Sequence, residues 1–534
     1  MVPDARVWVP FRLVFAGLML LAACSDSGLP DGDPQAGKRL YWQGLKRDGQ
    51  PVPVHVQGDV LARSDNFACV GCHRPSGYGS SEGGRFVPPI TQSVLFESSQ
   101  SDRQRRNRRF RDLFKEDHDA NFAARVRMPR MRPAYNDQTL ARAIRQGVDS
   151  EGRTLAGAMP IYDLSDQAVA DLIAYLKTLS VAHSPGVTST HLNFATVVTD
   201  TVNPRARQAM LDTVNSFVNW YNKDIEGDLK SPGFSPFYRS EFKDSYRYWN
   251  FEVWELTGPA TTWGSQLEEY YRQKPAFALV SGLVTGPWAP VDRFCRHRSL
   301  PCVFPNTVLP NLETPEHGYS IYFSRGLMLE AEALVQALST RPPPDKEIYQ
   351  VYVNEPAGQA PAEAFTGQLA RDSDASAHLE VTSQEVTSQA ALVDAVEAID
   401  DPAAHVVVWP GSEAGGLLKA LQAEPPLLHR LFLPSTALAE ADSLISGALR
   451  RKLRFSYPYE KPAGYHPRKY RVRAWMHSRG LGVSHPQLQL QTYYALTQTQ
   501  FAIANLVDDF SRDYFLDFIE RQAEAQLNPG THPS

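Results

Sequence analysis

The 534-residue chain lacks the features that mark several large classes of protein. Beyond residue 24 it has no run of 18 apolar residues, which excludes a polytopic membrane protein. Its formal charge is only −5, too small to indicate nucleic-acid binding as a primary task. Hydrophobic residues at 43% and charged residues at 21% exclude a wholly disordered chain, and the length predicts at least two domains.

Cysteine is scarce, with five in the chain, and the first of them ends an apolar stretch. Residues 13–23 would span roughly 16 Å as a helix, about half of the hydrocarbon core of a bilayer, so residues 1–23 are predicted to be a signal peptide. Leu21-Ala22-Ala23-Cys24 resembles the bacterial lipoprotein box. That resemblance implies a periplasmic protein with a lipid on Cys24 and a tether over 24–34, at the outer membrane because Ser25 follows the cysteine. The alternative is an ordinary signal peptide with a chance cysteine.

Cys69-Val70-Gly71-Cys72-His73 is a C-x-x-C-H sequence, the attachment motif of c-type haem. Two thiols three residues apart can each form a thioether with one porphyrin vinyl group, and His73 can then bind the iron as proximal ligand. A thioredoxin-like pair would need a βαβ context, and a zinc site would need more ligands nearby. The surrounding Gly- and Pro-rich sequence supplies neither, so the motif predicts one covalent haem c on Cys69 and Cys72.

Two flanking segments are typical of one cytochrome class. Gly37 and Tyr41 stand one turn apart on a helix predicted near residues 34–43, and helical spacing of apolar residues predicts a helix over 166–179 that contains Tyr175. Together with the motif, residues 35–182 resemble a class I c-type cytochrome. The resemblance implies an all-α domain whose first and last helices cross closely at a small residue, and a haem that transfers electrons.

The same resemblance implies a sixth iron ligand on the loop before the last helix. Met159 occupies that place in the sequence and is predicted to be the distal ligand. The alternatives are Met128, Met131, His55 and His118. A proline after the motif, Pro88 or Pro89, is expected to supply the carbonyl that orients the His73 ring.

The second half of the chain, residues 191–534 after a linker at 183–190, alternates strands with helices. The predicted strands are 192–198, 276–280, 302–304, 348–353, 404–409 and 430–433. Repeated βα units predict parallel sheets covered by helices. A Pro-rich break at 341–344 separates two such stretches, so the sequence predicts two α/β lobes.

These units resemble the type I periplasmic binding proteins, the branched-chain amino-acid receptor group. The resemblance is carried by Val280-Ser281-Gly282, by residues 300–307 and by Phe455-Ser456-Tyr457-Pro458. It implies a small ligand in the cleft between the lobes, at the carboxyl ends of the strands. The candidate cleft residues are Ser281, Thr285, Trp288, Asn306 and Thr307. For each, an ordinary loop or capping role is the alternative.

The last two cysteines, Cys295 and Cys302, lie seven residues apart in a chain expected to be exported, where disulfides form. We predict a disulfide, which would stabilise the fold by about 2.5 kcal/mol. The alternative is two buried thiols.

Taken together, these patterns predict a membrane-tethered c-type cytochrome that binds haem iron and transfers electrons, fused to a small-ligand-binding or docking module. Its partner would be a periplasmic redox protein, and neither nucleic acid nor an enzymatic reaction of its own is expected. One alternative is a solute receptor whose haem senses redox state or gas. Another is the haem subunit of a periplasmic dehydrogenase.

Overall fold

A computed structural model describes most of the chain as two compact units. The described residues are 28–56, 60–79, 81–82, 85–96, 133–155, 157–179, 184–230, 246–312, 318–343, 347–458, 467–506 and 510–525. The N-terminal unit comprises Met1–Cys69 and Gln92–Thr178, and the α/β unit comprises Val70–Thr91 and Leu179–Ser534. This division departs from the predicted domain limits, 35–182 and 191–534, at two places. Residues 70–91 group with the α/β unit, and that unit begins again at Leu179.

The elements up to residue 178 are short. In chain order they are α1 (Pro34–Gln43), β1 (Pro53–Val56), β2 (Val60–Arg63), α2 (Cys69–His73), β3 (Ser81–Glu82), β4 (Arg85–Phe86), α3 (Gln92–Phe96), α4 (Asp137–Gln146), β5 (Ile161–Tyr162) and α5 (Asp166–Leu176). Side chains cap the two main helices, because Asp33 accepts from the backbone N–H of Gln35 and Ser165 from that of Ala168.

The first and last helices of the N-terminal unit cross closely, as predicted. A Cβ at Gly37 would lie 1.9 Å from the backbone oxygen of Asp171, so only glycine fits at the crossing of α1 and α5. Beside it, the rings of Tyr41 and Tyr175 have centroids 5.2 Å apart. The prediction of an all-α domain is wrong, however, because β1 pairs antiparallel with both β2 and β5. The valines of residues 53–56 favour a strand, but a segment of four residues is too short to show a clear strand pattern in the sequence.

The α/β unit contains the remaining elements. They are β6 (His191–Thr199), α6 (Pro204–Lys230), β7 (Tyr248–Leu256), α7 (Trp263–Gln273), β8 (Ala278–Val280), α8 (Ala289–His297), β9 (Cys302–Val303), β10 (Ser320–Ile321), α9 (Leu327–Thr340), β11 (Glu347–Val353), α10 (Pro356–Arg371), α11 (Ser373–His378), β12 (Glu380–Val386), α12 (Gln389–Glu397), β13 (His405–Trp409), α13 (Gly415–Ala423), β14 (Arg430–Leu433), α14 (Leu438–Leu444), α15 (Gly447–Lys452), β15 (Leu453–Phe455), α16 (Pro467–His477), α17 (Pro486–Leu506) and α18 (Arg512–Ala525).

Two parallel sheets organise this unit, so the prediction of two α/β lobes is confirmed. Within the described residues, lobe A has the strand order β7-β6-β8-β9-β10 and lobe B the order β12-β11-β13-β14-β15. Counted within its own lobe, each sheet has the order 2-1-3-4-5. In such a sheet the connections diverge between the first and third strands, and ligands bind outside the carboxyl ends at that point.

Each lobe has its own apolar core. In lobe A, Phe194 of β6 and Phe217 of α6 are buried together with residues of the two C-terminal helices, such as Tyr494 and Phe515. The last two described helices therefore pack into lobe A rather than lobe B. Lobe B buries the valines of β13 against the leucines of α13.

Among the described residues, no helix combines the length and hydrophobicity needed to cross a bilayer. The predicted signal peptide and Cys24 lie outside the described residues. The lipid anchor therefore stays a prediction.

Candidate functional site

Polar side chains gather at the carboxyl end of the lobe A sheet. Ser281 follows β8 directly, is fully buried and adopts a positive φ of 60°. The Asn306 side chain, three residues after β9, donates to Ser281 Oγ over 2.9 Å and to the Gly282 carbonyl over 3.1 Å. The Asn306 carboxamide oxygen is itself buried and has no hydrogen-bond partner within the described residues. The predicted pair Ser281 and Asn306 is therefore brought together, with one acceptor left unsatisfied.

The other three predicted cleft residues have different roles. Thr285 is exposed, and its backbone N–H donates to Thr199 Oγ1 at the end of β6, which places it at the divergence of the sheet. Thr307 accepts from the backbone N–H of Leu309 and so caps a turn. Trp288 is fully buried in the lobe A core. Its ring lies against Gly282, so close that a Cβ on residue 282 would collide with it. The assignment of Trp288 to the cleft is therefore wrong, because a large apolar ring there fills the core.

The corresponding edge of lobe B holds an acidic residue that the sequence patterns missed. Glu355 follows β11, the first strand of lobe B, and Ser412 follows β13, the third. Glu355 Oε2 accepts from Ser412 Oγ over 3.0 Å and from the Ser412 backbone N–H over 3.3 Å. Ser412 is exposed and Glu355 is half-buried. Looking for polar residues within three positions after each buried strand would have found both.

A second acidic side chain near this edge is structural. Glu330 of α9 is buried and accepts hydrogen bonds from Ser435 and Ser456, which follow β14 and β15. Burial raises the pKa of Glu330. Since its oxygens are satisfied by serine donors, Glu330 joins α9 to the sheet of lobe B.

The C-x-x-C-H sequence forms the short helix α2. Residues three and four apart share one helix face, so Cys69, Cys72 and His73 can all present their side chains on one side. Cys69 is half-buried, Cys72 is exposed, and neither forms a disulfide. This arrangement fits two thioether bonds and one iron ligand.

The His73 ring is held in a defined orientation. Its Nδ1 lies 3.1 Å from the Pro88 carbonyl oxygen, so the prediction that a following proline orients this ring is confirmed for Pro88. Burial lowers the pKa of His73 to about 4, despite the opposing effect of that carbonyl. The ring is therefore neutral at pH 7. With the proton on Nδ1, the lone pair of Nε2 is available to a metal.

Residues just after His73 pack against the last described helix of the α/β unit. Asp517 of α18 accepts from Ser76 Oγ over 2.5 Å and from the Ser76 backbone N–H over 3.3 Å. The rings of Tyr78 and Tyr514 stack with centroids 3.9 Å apart. Burial, reinforced by the nearby carboxylates of Asp513 and Glu520, raises the pKa of Asp517 to about 7.

Comparison with known proteins returns structural matches and no sequence family. No family model matches the chain, and no curated protein matches it. One similar structure is a branched chain amino acid ABC transporter from Thermus thermophilus with bound valine, 13% identical, covering 62% of this chain and 83% of its own, with a TM-score of 0.45. A possible leucine/isoleucine/valine-binding protein from Rhodopirellula baltica is 13% identical over 62% of this chain and 86% of its own, with a TM-score of 0.46. An extracellular ligand-binding receptor from Verminephrobacter eiseniae is 14% identical over 64% of this chain and 96% of its own, with a TM-score of 0.45. Because these identities and TM-scores are low, the two-lobed description of this chain is based on its own two sheets and not on the similar structures.

One set of predictions is corrected by these findings. The predicted resemblance to a cytochrome c, with haem, iron, metal binding and electron transfer, is wrong. The similar structures are described as transport and ligand-binding proteins. In addition, the described residues contain no group of three or more His, Cys, Asp or Glu side chains that could hold a metal ion. Attachment of a haem to Cys69 and Cys72 would need two thioether bonds and one histidine instead of such a group, and it stays a prediction.

The remaining predicted ligands are partly outside the described chain. Met159 lies half-buried in the loop before β5, within the N-terminal unit. His55 is exposed on β1. Met128, Met131 and His118 lie outside the described residues.

Cys295 and Cys302 are thiols that lie next to each other in the structure, and the disulfide between them stays a prediction. Both are fully buried in the lobe A core, between the end of α8 and the start of β9. Burial raises the pKa of the Cys295 thiol, and a hydrogen bond with Cys302 raises it further. In this apolar setting the pair packs as two small hydrophobic side chains.

Proposed function

We propose that the protein is an exported solute-binding receptor that holds a small amino acid between lobes A and B and carries one covalent haem. The observation that carries the first part is the shared 2-1-3-4-5 strand order, with polar residues after the first and third strands of both lobes. This is the place where sheets of this order bind ligands.

The chemistry of the two edges complements a zwitterion. Lobe A contributes the hydroxyl groups of Thr199 and Thr285, which can donate to a carboxylate. The Asn306 amide group already donates to Ser281 and Gly282, so its unsatisfied oxygen can only accept, for example from an ammonium group. Lobe B contributes the Glu355 carboxylate, which can accept from an ammonium group and which Ser412 already orients. A charged hydrogen bond of this kind contributes about twice as much as a neutral one. A small α-amino acid therefore fits better than a sugar or a dicarboxylate.

Isothermal titration of the full chain with L-valine tests this assignment. Glu355→Gln keeps the size of the side chain and removes its charge, so we expect at least ~10-fold weaker binding. Glu413→Gln, which changes an exposed carboxylate next to Ser412, is the matched control and should bind as the wild type does. Equal affinity of Glu355→Gln and the wild type for L-valine would refute the role of Glu355.

The covalent haem rests on the fit of α2. Cys69 and Cys72 would form the thioether bonds, and Nε2 of His73 would bind the iron while Nδ1 stays bonded to Pro88. The bound haem would supply a one-electron redox centre. A denaturing gel of protein from a host that matures c-type cytochromes should show a haem-stained band that disappears in Cys69→Ala/Cys72→Ala. A wild-type chain without that band would contradict the assignment.

Because residues 70–91 belong to the α/β unit, a receptor whose haem senses redox state is favoured over a separate carrier domain. Ser76 and Tyr78 connect the segment after His73 to α18, which is part of the lobe A core. L-Valine should then shift the midpoint potential of the haem, and an unchanged potential would oppose sensing. The proposal places the protein in the periplasm, with a lipid on Cys24 and a periplasmic redox protein as the partner that sets the oxidation state.

A further inference from the structure

A cavity of about 90 Å³ lies between α16, the beginning of α17 and the segment after β15. Its polar lining consists of four side chains, Tyr457, Lys469, Arg473 and Gln487. None of these residues belongs to the polar edges of lobes A and B described above. The cavity is therefore a separate feature of the α/β unit.

The polar lining can donate hydrogen bonds from every member. Lysine and arginine side chains only donate, and tyrosine and glutamine can donate. Within the described part of the chain, no Asp or Glu lines the cavity. Donors and two cations, with no carboxylate among the described lining residues, favour an anion.

Two of the four donors are unsatisfied. Among the described residues, Arg473 forms no hydrogen bond or ion pair, and its side chain is exposed to solvent at the cavity. The Gln487 side-chain nitrogen is buried and has no hydrogen-bond partner in the described residues. A buried donor without a partner is costly, so a ligand oxygen at Gln487 would remove a defect of the folded protein.

The rest of the lining is apolar, mainly Val472, Met476 and Leu490. Val472, Met476 and Leu490 are buried in a small cluster between α16 and α17. A hydrated inorganic anion such as phosphate would leave this apolar wall in contact with water. A ligand with a hydrocarbon end would cover the wall. The small volume of the cavity favours a short-chain ligand over a long one.

We propose that this cavity binds a short-chain monocarboxylate, with the carboxylate facing Arg473, Lys469 and Gln487 and the hydrocarbon end against Met476 and Leu490. The site does not depend on amino-acid binding between the lobes. Arg473 supplies a planar pair of donors for the carboxylate, and Gln487 supplies the buried one.

Equilibrium dialysis of the full chain with radiolabelled butyrate tests the proposal. We expect one bound butyrate per chain, competed by unlabelled butyrate but not by butyramide, which has the same shape without the charge. Arg473→Gln should weaken binding ~10-fold or more. Arg471→Gln, on the exposed face of the same helix and outside the lining, is the matched control and should bind as the wild type does.

Gln487→Leu separates a ligand role from a structural one. The change removes an unsatisfied buried donor, so the melting temperature should stay the same or rise while butyrate affinity falls. Equal competition by butyramide, or unchanged butyrate binding in both Arg473→Gln and Gln487→Leu, would overturn the proposal. Glu355→Gln should leave butyrate binding unchanged and Arg473→Gln should leave L-valine binding unchanged, so failure at one site does not imply failure at the other.

Discussion

Removing the charge of Asp517 should change how the stability of the α/β unit depends on pH. The carboxyl group is 3% exposed, and its pKa is about 7 in the folded protein against an ordinary value of 3.8. Between these two pH values the folded protein holds a proton that the unfolded chain has released. Stability therefore falls as pH rises through this window, and the full loss is present above pH 7.

The size of the effect follows from the two pKa values. Their difference corresponds to about 4 kcal/mol, most of which accumulates between pH 5 and pH 8, where we expect about 2.5 kcal/mol. Asp517→Asn keeps an oxygen that can accept from Ser76 and carries no charge at any pH. The variant should therefore gain about 2.5 kcal/mol over the wild type across this range, which corresponds to roughly 3 °C in melting temperature for a unit of this size.

Tryptophan fluorescence during heating is a suitable assay, because Trp249 and Trp288 are buried in the α/β unit. Melting temperatures of the wild type and Asp517→Asn are compared from pH 5 to pH 8. Asp400→Asn, which changes an exposed carboxylate, is the control and should follow the wild type. A constant difference between Asp517→Asn and the wild type over this range would refute the reasoning.

Three further results are expected. Gly37→Ala should destabilise the N-terminal unit by about 3 kcal/mol in urea titrations, because the added Cβ would clash with the Asp171 backbone. The control is Gly227→Ala, where a Cβ meets no atom within 4 Å, and it should be neutral or stabilising. Equal effects of the two variants would contradict the close crossing. Cys24→Ser should release processed protein into the soluble periplasmic fraction, and retention on membranes after a high-salt wash would refute the lipid anchor. In haem-loaded protein, Met159→Ala should lower the reduction potential and admit carbon monoxide, while an unchanged potential without carbon monoxide binding would exclude Met159 as the sixth ligand.

Elements with strong local patterns could be predicted from the sequence. The helix at residues 34–43 and the strand at residues 430–433 have the predicted limits, because apolar spacing and flanking polar residues mark both ends. Strand β12 was missed because it lies at the sheet edge and is mostly exposed, so its sequence is polar and lacks the pattern of a buried strand. Strand β7 also lies at a sheet edge and is not predicted, although it is mostly buried or half-buried and its aromatic residues favour a strand.

The candidate site was only partly predictable for a different reason. Ser281 and Asn306 were found because they follow short buried strands in lobe A. Glu355 and Ser412 follow equivalent strands in lobe B, but only the strand order makes that equivalence visible. The buried position of Trp288 depends on its packing beside Gly282, which no local pattern encodes.

The bond between Ser76 and Asp517 joins residues 441 positions apart, and this has a consequence for the order of folding. At about 5–20 residues per second, synthesis of the intervening chain takes roughly half a minute or more. Helix α18 is the last described helix to be made, so the segment after the C-x-x-C-H sequence reaches this packing only after α18 has been synthesised. The thiols of Cys69 and Cys72 thus have an interval in which they can be modified before the surrounding structure closes. A chain truncated before residue 512 would extend that interval indefinitely and leave Ser76 without this acceptor.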